Sequence, residues 1–144
     1  MTAKIEGIHH VKFPVSDLAR SRAWYERVLG LDVTHEFPDA DGVVRGVAGA
    51  IDSVPVALRV QEAAAAGLAG FDPVCFSIAD RAAADAWIAR LDELGVEHSP
   101  LFEATTGWMV RCTDPDGTEI RLYSLAKDDG VDHTGEQGYA QRVR

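Results

Sequence analysis

His10-Val-Lys-Phe-Pro-Val-Ser-Asp17 returns 63 residues later as Pro73-Val-Cys-Phe-Ser-Ile-Ala-Asp80, matching Phe13 to Phe76, Val15 to Ile78 and Asp17 to Asp80. The offset persists beyond these stretches: Trp24 falls on Trp87, Val28 on Leu91, Val33 on Val96 and His35 on His98. Self-similarity held over that distance means one supersecondary unit used twice, each copy about half a domain long. In this register His10 stands opposite Pro73, so the copies part company at a residue that can do chemistry.

Working outward, Gly7 to Val15 is rich in Ile, Val and Phe and hands over at Pro14-Val-Ser-Asp17, where Ser16 or Asp17 can accept the free amide hydrogens of a first helical turn. Leu18, Ser21, Tyr25, Val28 and Leu29 recur at three- and four-residue spacing, which predicts a helix over Asp17 to Leu29 stopped by Gly30. The second copy predicts a strand over Val74 to Ile78, a cap at Asp80, and an apolar stripe of Ala84, Trp87, Ile88, Leu91 and Leu94 ended by Gly95. Strand-like runs follow each helix: Leu31 to Phe37, Val43 to Ala48 and Val54 to Val60, then Val96 to Phe102, Trp108 to Thr113 and Glu119 to Ser124. Asp-Gly at 41–42 and Asp114-Pro-Asp-Gly117 supply turns. The expected organisation is one α+β domain over residues 5–126 in two βαβββ modules, 5–62 and 71–126. The small-residue stretch 63–70 reads as the connection and 127–144 as a polar tail without periodicity. Trp24 and Trp87 are expected in the core.

A chain of 144 residues that is 47% hydrophobic and 26% charged can bury a core of its own. Its formal net charge of -9 repels phosphate backbones and anionic lipid surfaces at long range, which excludes nucleic acid as a natural partner. Cys75 and Cys112 have no Cys-x-x-Cys spacing and lie in apolar runs. They read as two buried free thiols of a reducing compartment. No run approaches the roughly 18 apolar residues of a membrane helix, and residues 1–8 do not read as a signal peptide. A cytoplasmic protein is expected.

Three stretches carry a resemblance: Ile8-His-His-Val-Lys-Phe-Pro-Val-Ser-Asp-Leu18, Trp24-Tyr-Glu-Arg-Val-Leu-Gly-Leu31 and Asp114-Pro-Asp-Gly-Thr-Glu-Ile-Arg-Leu-Tyr123. Over about residues 5–126 the chain resembles the vicinal oxygen chelate superfamily, which groups glyoxalase I, the bleomycin resistance proteins, fosfomycin resistance enzymes and extradiol dioxygenases. The resemblance implies two βαβββ modules whose mixed sheets curl around a cavity, and a homodimer. It also implies a divalent metal (Mn, Fe, Ni or Zn) held by an opening His on the first strand of a module, a His on the matching strand of the other, and a Glu in the strand after Asp-Pro-Asp-Gly. Two imidazoles and a carboxylate with open positions let such an ion polarise an enediolate or bind dioxygen.

Carried over residue by residue, only the first ligand is kept. His10 matches the opening His, the second position is Pro73, and the carboxylate position, seven residues beyond Asp114, is Arg121. A further Glu used by some members would fall at Ala57, once Val56-Ala-Leu58 is set against Ile120-Arg-Leu122 with a one-residue slip. A guanidinium about 5 Å from a divalent ion would repel it by several kcal/mol even at an effective dielectric of about 20. No metal or other cofactor is therefore expected at the usual site; a shifted site from His10, His35 and Glu119 is the alternative.

Residues two apart on a strand share a face, so His10 brings Lys12, Ala57 brings Arg59, and Arg121 brings Tyr123. With Trp108, these define the candidate cavity of His10, Lys12, Arg59, Trp108, Arg121 and Tyr123, a basic interior suited to an anionic small molecule. The pairing of His35 with His98 across the copies favours a role in the fold, and His9 is expected on the opposite face from His10. Three function classes follow: a module that sequesters an anionic or aromatic molecule as bleomycin resistance proteins do, a metal-free enzyme using His10 as acid or base, and a metal-dependent lyase, isomerase or dioxygenase with relocated ligands.

Overall fold

The structure is a computed structural model describing residues 2–104 and 107–125; the tail expected over 127–144 lies outside the described residues. The chain divides into two compact units at Ala69/Gly70.

In the first unit, β1 (Val11–Val15) leads to Asp17, whose extended backbone and side chain cap α1 (Leu18–Trp24) by accepting from Arg20 N at 3.0 Å. The helix does not stay α to Leu29 as expected. It widens into a five-residue π turn, Tyr25–Leu29, closed by Gly30 at φ 76°. The wider turn leaves Tyr25, Val28 and Leu29 all buried, with the Tyr25 ring 5.3 Å from that of Phe13. Strands β2 (Asp32–Pro38), β3 (Val44–Ile51) and β4 (Val54–Val60) complete a sheet of order β1-β4-β3-β2, in which β1 and β4 are parallel and the other pairs antiparallel. Phe13, Val15, Val47, Val56 and Leu58 fill the core on one face. The connecting stretch is itself helical, α2 (Glu62–Leu68), as its alanines favour.

The second unit repeats the plan with β5 (Cys75–Ile78), α3 (Arg81–Glu93), β6 (Phe102–Glu103), β7 (Trp108–Thr113) and β8 (Glu119–Ser124), in the order β5-β8-β7-β6. Asp80 caps α3 by accepting from Ala83 N at 2.8 Å. The buried Asp114 carboxylate accepts from Asp116 N and Thr118 N and fixes the Asp-Pro-Asp-Gly turn. The strand expected over Val96 to Phe102 is reduced to β6 and a single bridge from His98 to Cys112. Pro100 has no N–H to give, and Ser99 replaces ladder bonding by accepting Arg111 N on its Oγ at 3.0 Å.

Strand register reproduces the internal repeat with its slip. Lys12 pairs with Ala57 in the first unit and Cys75 with Arg121 in the second, followed by Phe13 with Leu58 and Phe76 with Leu122. Three core expectations are corrected. Trp24 and Trp87 are half-buried, because each lies at the flank of its helix; Cys75 is exposed, on the face of β5 opposite Phe76; only Cys112 is a buried thiol. Among the described residues no helix is long and apolar enough to cross a membrane.

Candidate functional site

The first sheet carries a cavity of about 580 Å³ on the face away from its helix. The cavity follows from strand parity: His35 and Phe37 on β2, Gly46 and Ala48 on β3, Ala57 and Arg59 on β4, and Lys12 on β1 all line it. They fall in two cross-strand rows. One runs Lys12, Ala57, Ala48, His35, and the next runs Pro14, Arg59, Gly46, Phe37. The rows share one composition: small residues in the middle, a cation toward β1 and β4, and a ring on β2.

His10, Lys12 and Arg59, three of the six candidate cavity residues, line this cavity. No carboxylate lines the cavity, and neither Lys12 nor Arg59 has an ion-pair partner among the described residues. His9 departs from expectation. The chain is not yet a strand at His9 and His10, so alternation does not apply, and both rings line the cavity with their Nδ1 atoms 2.9 Å apart. That contact is a hydrogen bond only when one ring donates and the other accepts. His35 is also a wall of the cavity, exposed and with Nδ1 2.8 Å from Thr34 Oγ1.

The residues named from the second module lie in the second unit, in a different setting. Arg121 Nε donates to Glu119 Oε2 at 2.7 Å and lies 3.3 Å from Asp72 Oδ2, while Arg111 Nη1 donates to the other Glu119 oxygen at 3.1 Å. The Glu119 carboxylate, with Asp72 adding to it, raises the Arg121 pKa above its ordinary value. Tyr123 shares the face of Arg121, as β8 alternation requires, and its strand partner is Met109. Trp108 does not share that face. It stands with Val110 and Cys112 on the helix side, its ring 4.7 Å beneath the Arg81 guanidinium of α3.

The donor set does not fit the metal implied by the resemblance. Ala57 and Pro73 have no side-chain donor, Arg121 is a cation bound to two carboxylates, and both Glu119 oxygens accept from arginines. Among the described residues no three His, Cys, Asp or Glu side chains are grouped to hold an ion.

Sequence reasoning missed Phe37, Gly46 and Ala48. The signal was present: carrying the period of two from His35 to Phe37, and pairing that strand across the Asp-Gly turn, places all three on the Lys12 face.

Comparison with known proteins agrees with this architecture. Solved structures similar to the chain include a glyoxylase/bleomycin resistance protein/dioxygenase domain from Frankia sp. EAN1pec, at 21% identity and TM-score 0.67, covering 90% of this chain and 98% of that one. A lactoylglutathione lyase from Agrobacterium tumefaciens matches at 19% identity and TM-score 0.67, covering 85% and 96%. A mutant of the fosfomycin resistance protein FosX from Listeria monocytogenes, complexed with Mn(II) and a dihydroxypropylphosphonic acid, matches at 17% identity and TM-score 0.67, covering 88% and 94%. No curated protein matches the sequence. The sequence profile described as the Glyoxalase/Bleomycin resistance protein/Dioxygenase superfamily matches residues 7–122, and with two βαβββ modules in the same strand order the chain belongs to that superfamily.

Proposed function

We propose that the chain is a metal-independent, small-molecule-binding member of its superfamily that takes an anion in the cavity of its first module. One observation carries the reading: in a chain of net charge -9, the lining of this cavity has Lys12, Arg59 and three histidines and no carboxylate. Two cations held near each other over an apolar floor repel one another, and a bound anion relieves that repulsion. Strand spacing and rise put Lys12 and Arg59 roughly 8 Å apart at their Cα atoms, so both side chains open on the cavity in which a carboxylate or phosphonate would sit.

Sequestration requires nothing further. Catalysis without metal would rest on His10, whose ring faces the same space and could pass a proton while Arg59 or Lys12 steadies the charge that develops. The phosphonic acid in one FosX complex is an anion of this class, but there it accompanies Mn(II), whereas here cationic side chains supply the positive charge. A metal-dependent lyase, isomerase or dioxygenase using His10, His35 and Glu119 is disfavoured by the engagement of both Glu119 oxygens. A homodimer, a single domain over residues 5–126 and a cytoplasmic location complete the proposal; they rest on the family resemblance and on cysteine usage.

Calorimetric titration with small carboxylates and phosphonates tests the reading. Lys12→Met and Arg59→Met are each expected to weaken binding by about tenfold, the worth of one charge-assisted hydrogen bond. Absence of anion binding by the intact protein would overturn it. If turnover is found and His10→Ala abolishes it with affinity intact, the same cavity is an active site.

A further inference from the structure

Arg59 is exposed, yet its side chain runs along the sheet. A Cβ placed on Gly46 would meet Arg59 Cδ at 3.2 Å and Nη1 at 3.5 Å, so the Arg59 side chain lies folded across the bare backbone of β3. On the other side of Gly46 in the same row stands Phe37, 47% exposed on β2 although it is a large apolar ring. Phe37 and Arg59 are thus two strand spacings apart, about 9.5 Å at the backbone, and the Arg59 side chain reaches over the glycine between them. The neighbouring row repeats this arrangement with Lys12 and His35 separated by Ala57 and Ala48.

The floor is therefore built of small residues, Ala48 and Ala57 open and Gly46 beneath the folded Arg59, bounded on β2 by a phenyl ring and an imidazole and on β1 by an ammonium. An aromatic ring set on such a floor would meet Phe37 edge-on or offset, and its carboxylate would reach the cations opposite. A compact, strongly hydrated anion such as phosphate gains nothing from the apolar floor and loses hydration there. A flexible alkyl chain would bury similar area but give up rotamer freedom that a fused ring does not have. The volume of about 580 Å³ lies within the range of sites for ligands of this size.

We infer that the occupant of this cavity is a planar, fused-ring aromatic compound bearing one carboxylate. The inference rests on the reading of the cavity as an anion site and adds the shape and the single charge of the anion.

Calorimetry on the full chain with four probes, β-naphthoate, its neutral amide, octanoate and inorganic phosphate, tests it. The expected result is β-naphthoate binding about tenfold or more tighter than both octanoate and the amide, with phosphate weaker still. Ala48→Leu, which raises the floor, and Phe37→Ala, which removes the ring wall, are each expected to weaken β-naphthoate by about fivefold and octanoate by less than about twofold. Thermal melting checks that the variants fold, and Phe37→Ala carries the test if Ala48→Leu does not, since its side chain is half exposed. Octanoate or phosphate binding as tightly as β-naphthoate, with all three weakened by Arg59→Met, would overturn the aromatic inference and leave the anion site standing. The amide binding as tightly as the acid, or no probe binding at all, would overturn both.

Discussion

Glu119 lies two residues before Arg121 on β8, and the two side chains meet at 2.7 Å on one face of the sheet. The carboxylate is only 13% exposed and accepts a second arginine, Arg111, on its other oxygen. A carboxylate that could have served as a metal ligand is thereby part of a cationic network. Releasing it would take from Arg111 and Arg121 the carboxylate they share, with Asp72 beside Arg121.

Metal content follows from that network. The purified, untagged protein, incubated with manganese, iron(II), nickel and zinc and then desalted, is expected to hold no stoichiometric ion by elemental mass spectrometry. A stoichiometric ion that disappears in His10→Ala would sink this expectation and direct attention to lyase and dioxygenase chemistry.

Two glycines in the first unit are expected to respond to alanine with opposite sign. A Cβ on Gly49 would collide with the carbonyl of Asp32, where β2 shifts register beside β3, and backbone cannot yield as a side chain does. Gly49→Ala should cost about 3 kcal/mol. Gly67 lies within α2 with nothing within 4 Å, so Gly67→Ala should stabilise by about 0.5 kcal/mol through helix propensity. Urea denaturation of both variants measures the difference, and a neutral Gly49→Ala would show that β2 can slide.

Most of the module plan was legible in the sequence because it is written twice. Phe13 and Phe76, the caps Asp17 and Asp80, and the stops Gly30 and Gly95 each report one local rule, and the repeat turns separate weak signals into one. What stayed illegible depended on neighbours. The π turn at Tyr25 goes with packing on Phe13, and the loss of strand before Phe102 with the hydrogen bond that Arg111 N donates to Ser99 Oγ. The site divided the same way. Alternation along the strands puts Lys12 and Arg59 in the lining of one cavity, whereas it says nothing of His10, which precedes β1, and it sets Trp108 with Val110 and Cys112 on the helix side.

The Asp92–His98 contact should make stability depend on pH. The hydrogen bond that His98 Nε2 donates to the Asp92 carboxylate at 2.9 Å, then the contact of its other ring nitrogen with the Ser99 carbonyl, raise the pKa of His98 above its ordinary 6.5. A raised folded pKa adds stability that is fully present below the unfolded pKa and lost as pH rises through the folded one. Because Asp92 is 68% exposed, solvent screens the pair and the contribution is about 0.5 kcal/mol. Asp92→Asn should therefore narrow the gap between stabilities at about pH 5.5 and about pH 8.5, and about 0.5 M salt should narrow it in the parent protein. An unchanged gap in Asp92→Asn would remove the pair as its cause.

The two thiols should react in sequence. Cys112 is buried and its pKa is pushed up to about 12, by burial first and then by Asp114. Cys75 is exposed, though burial of its sulfur and the nearby Asp72 charge raise its pKa as well. Iodoacetamide at neutral pH should add one label slowly to the folded protein, at Cys75, and a second only in denaturant, as read by intact mass. Rapid labelling of Cys112 without denaturant would mean that β7 opens from the sheet.

Ser21 in α1 and Thr118 before β8 are fully buried, and their hydroxyls have no hydrogen-bond partner among the described residues. A buried hydroxyl without a partner has lost its water and gained nothing in exchange, a loss worth about 1 to 3 kcal/mol. Removing the hydroxyl while keeping the shape should recover part of that, so Ser21→Ala and Thr118→Val are each expected to raise unfolding free energy by up to about 1 kcal/mol. Alanine also favours the helix at position 21, and valine suits the extended chain at 118. Denaturant titration of the two single variants checks both. Destabilisation beyond about 1 kcal/mol in either would place a bridging water or a transient acceptor at that hydroxyl, and it would be the hydroxyl, not the apolar stem, that holds the element in place.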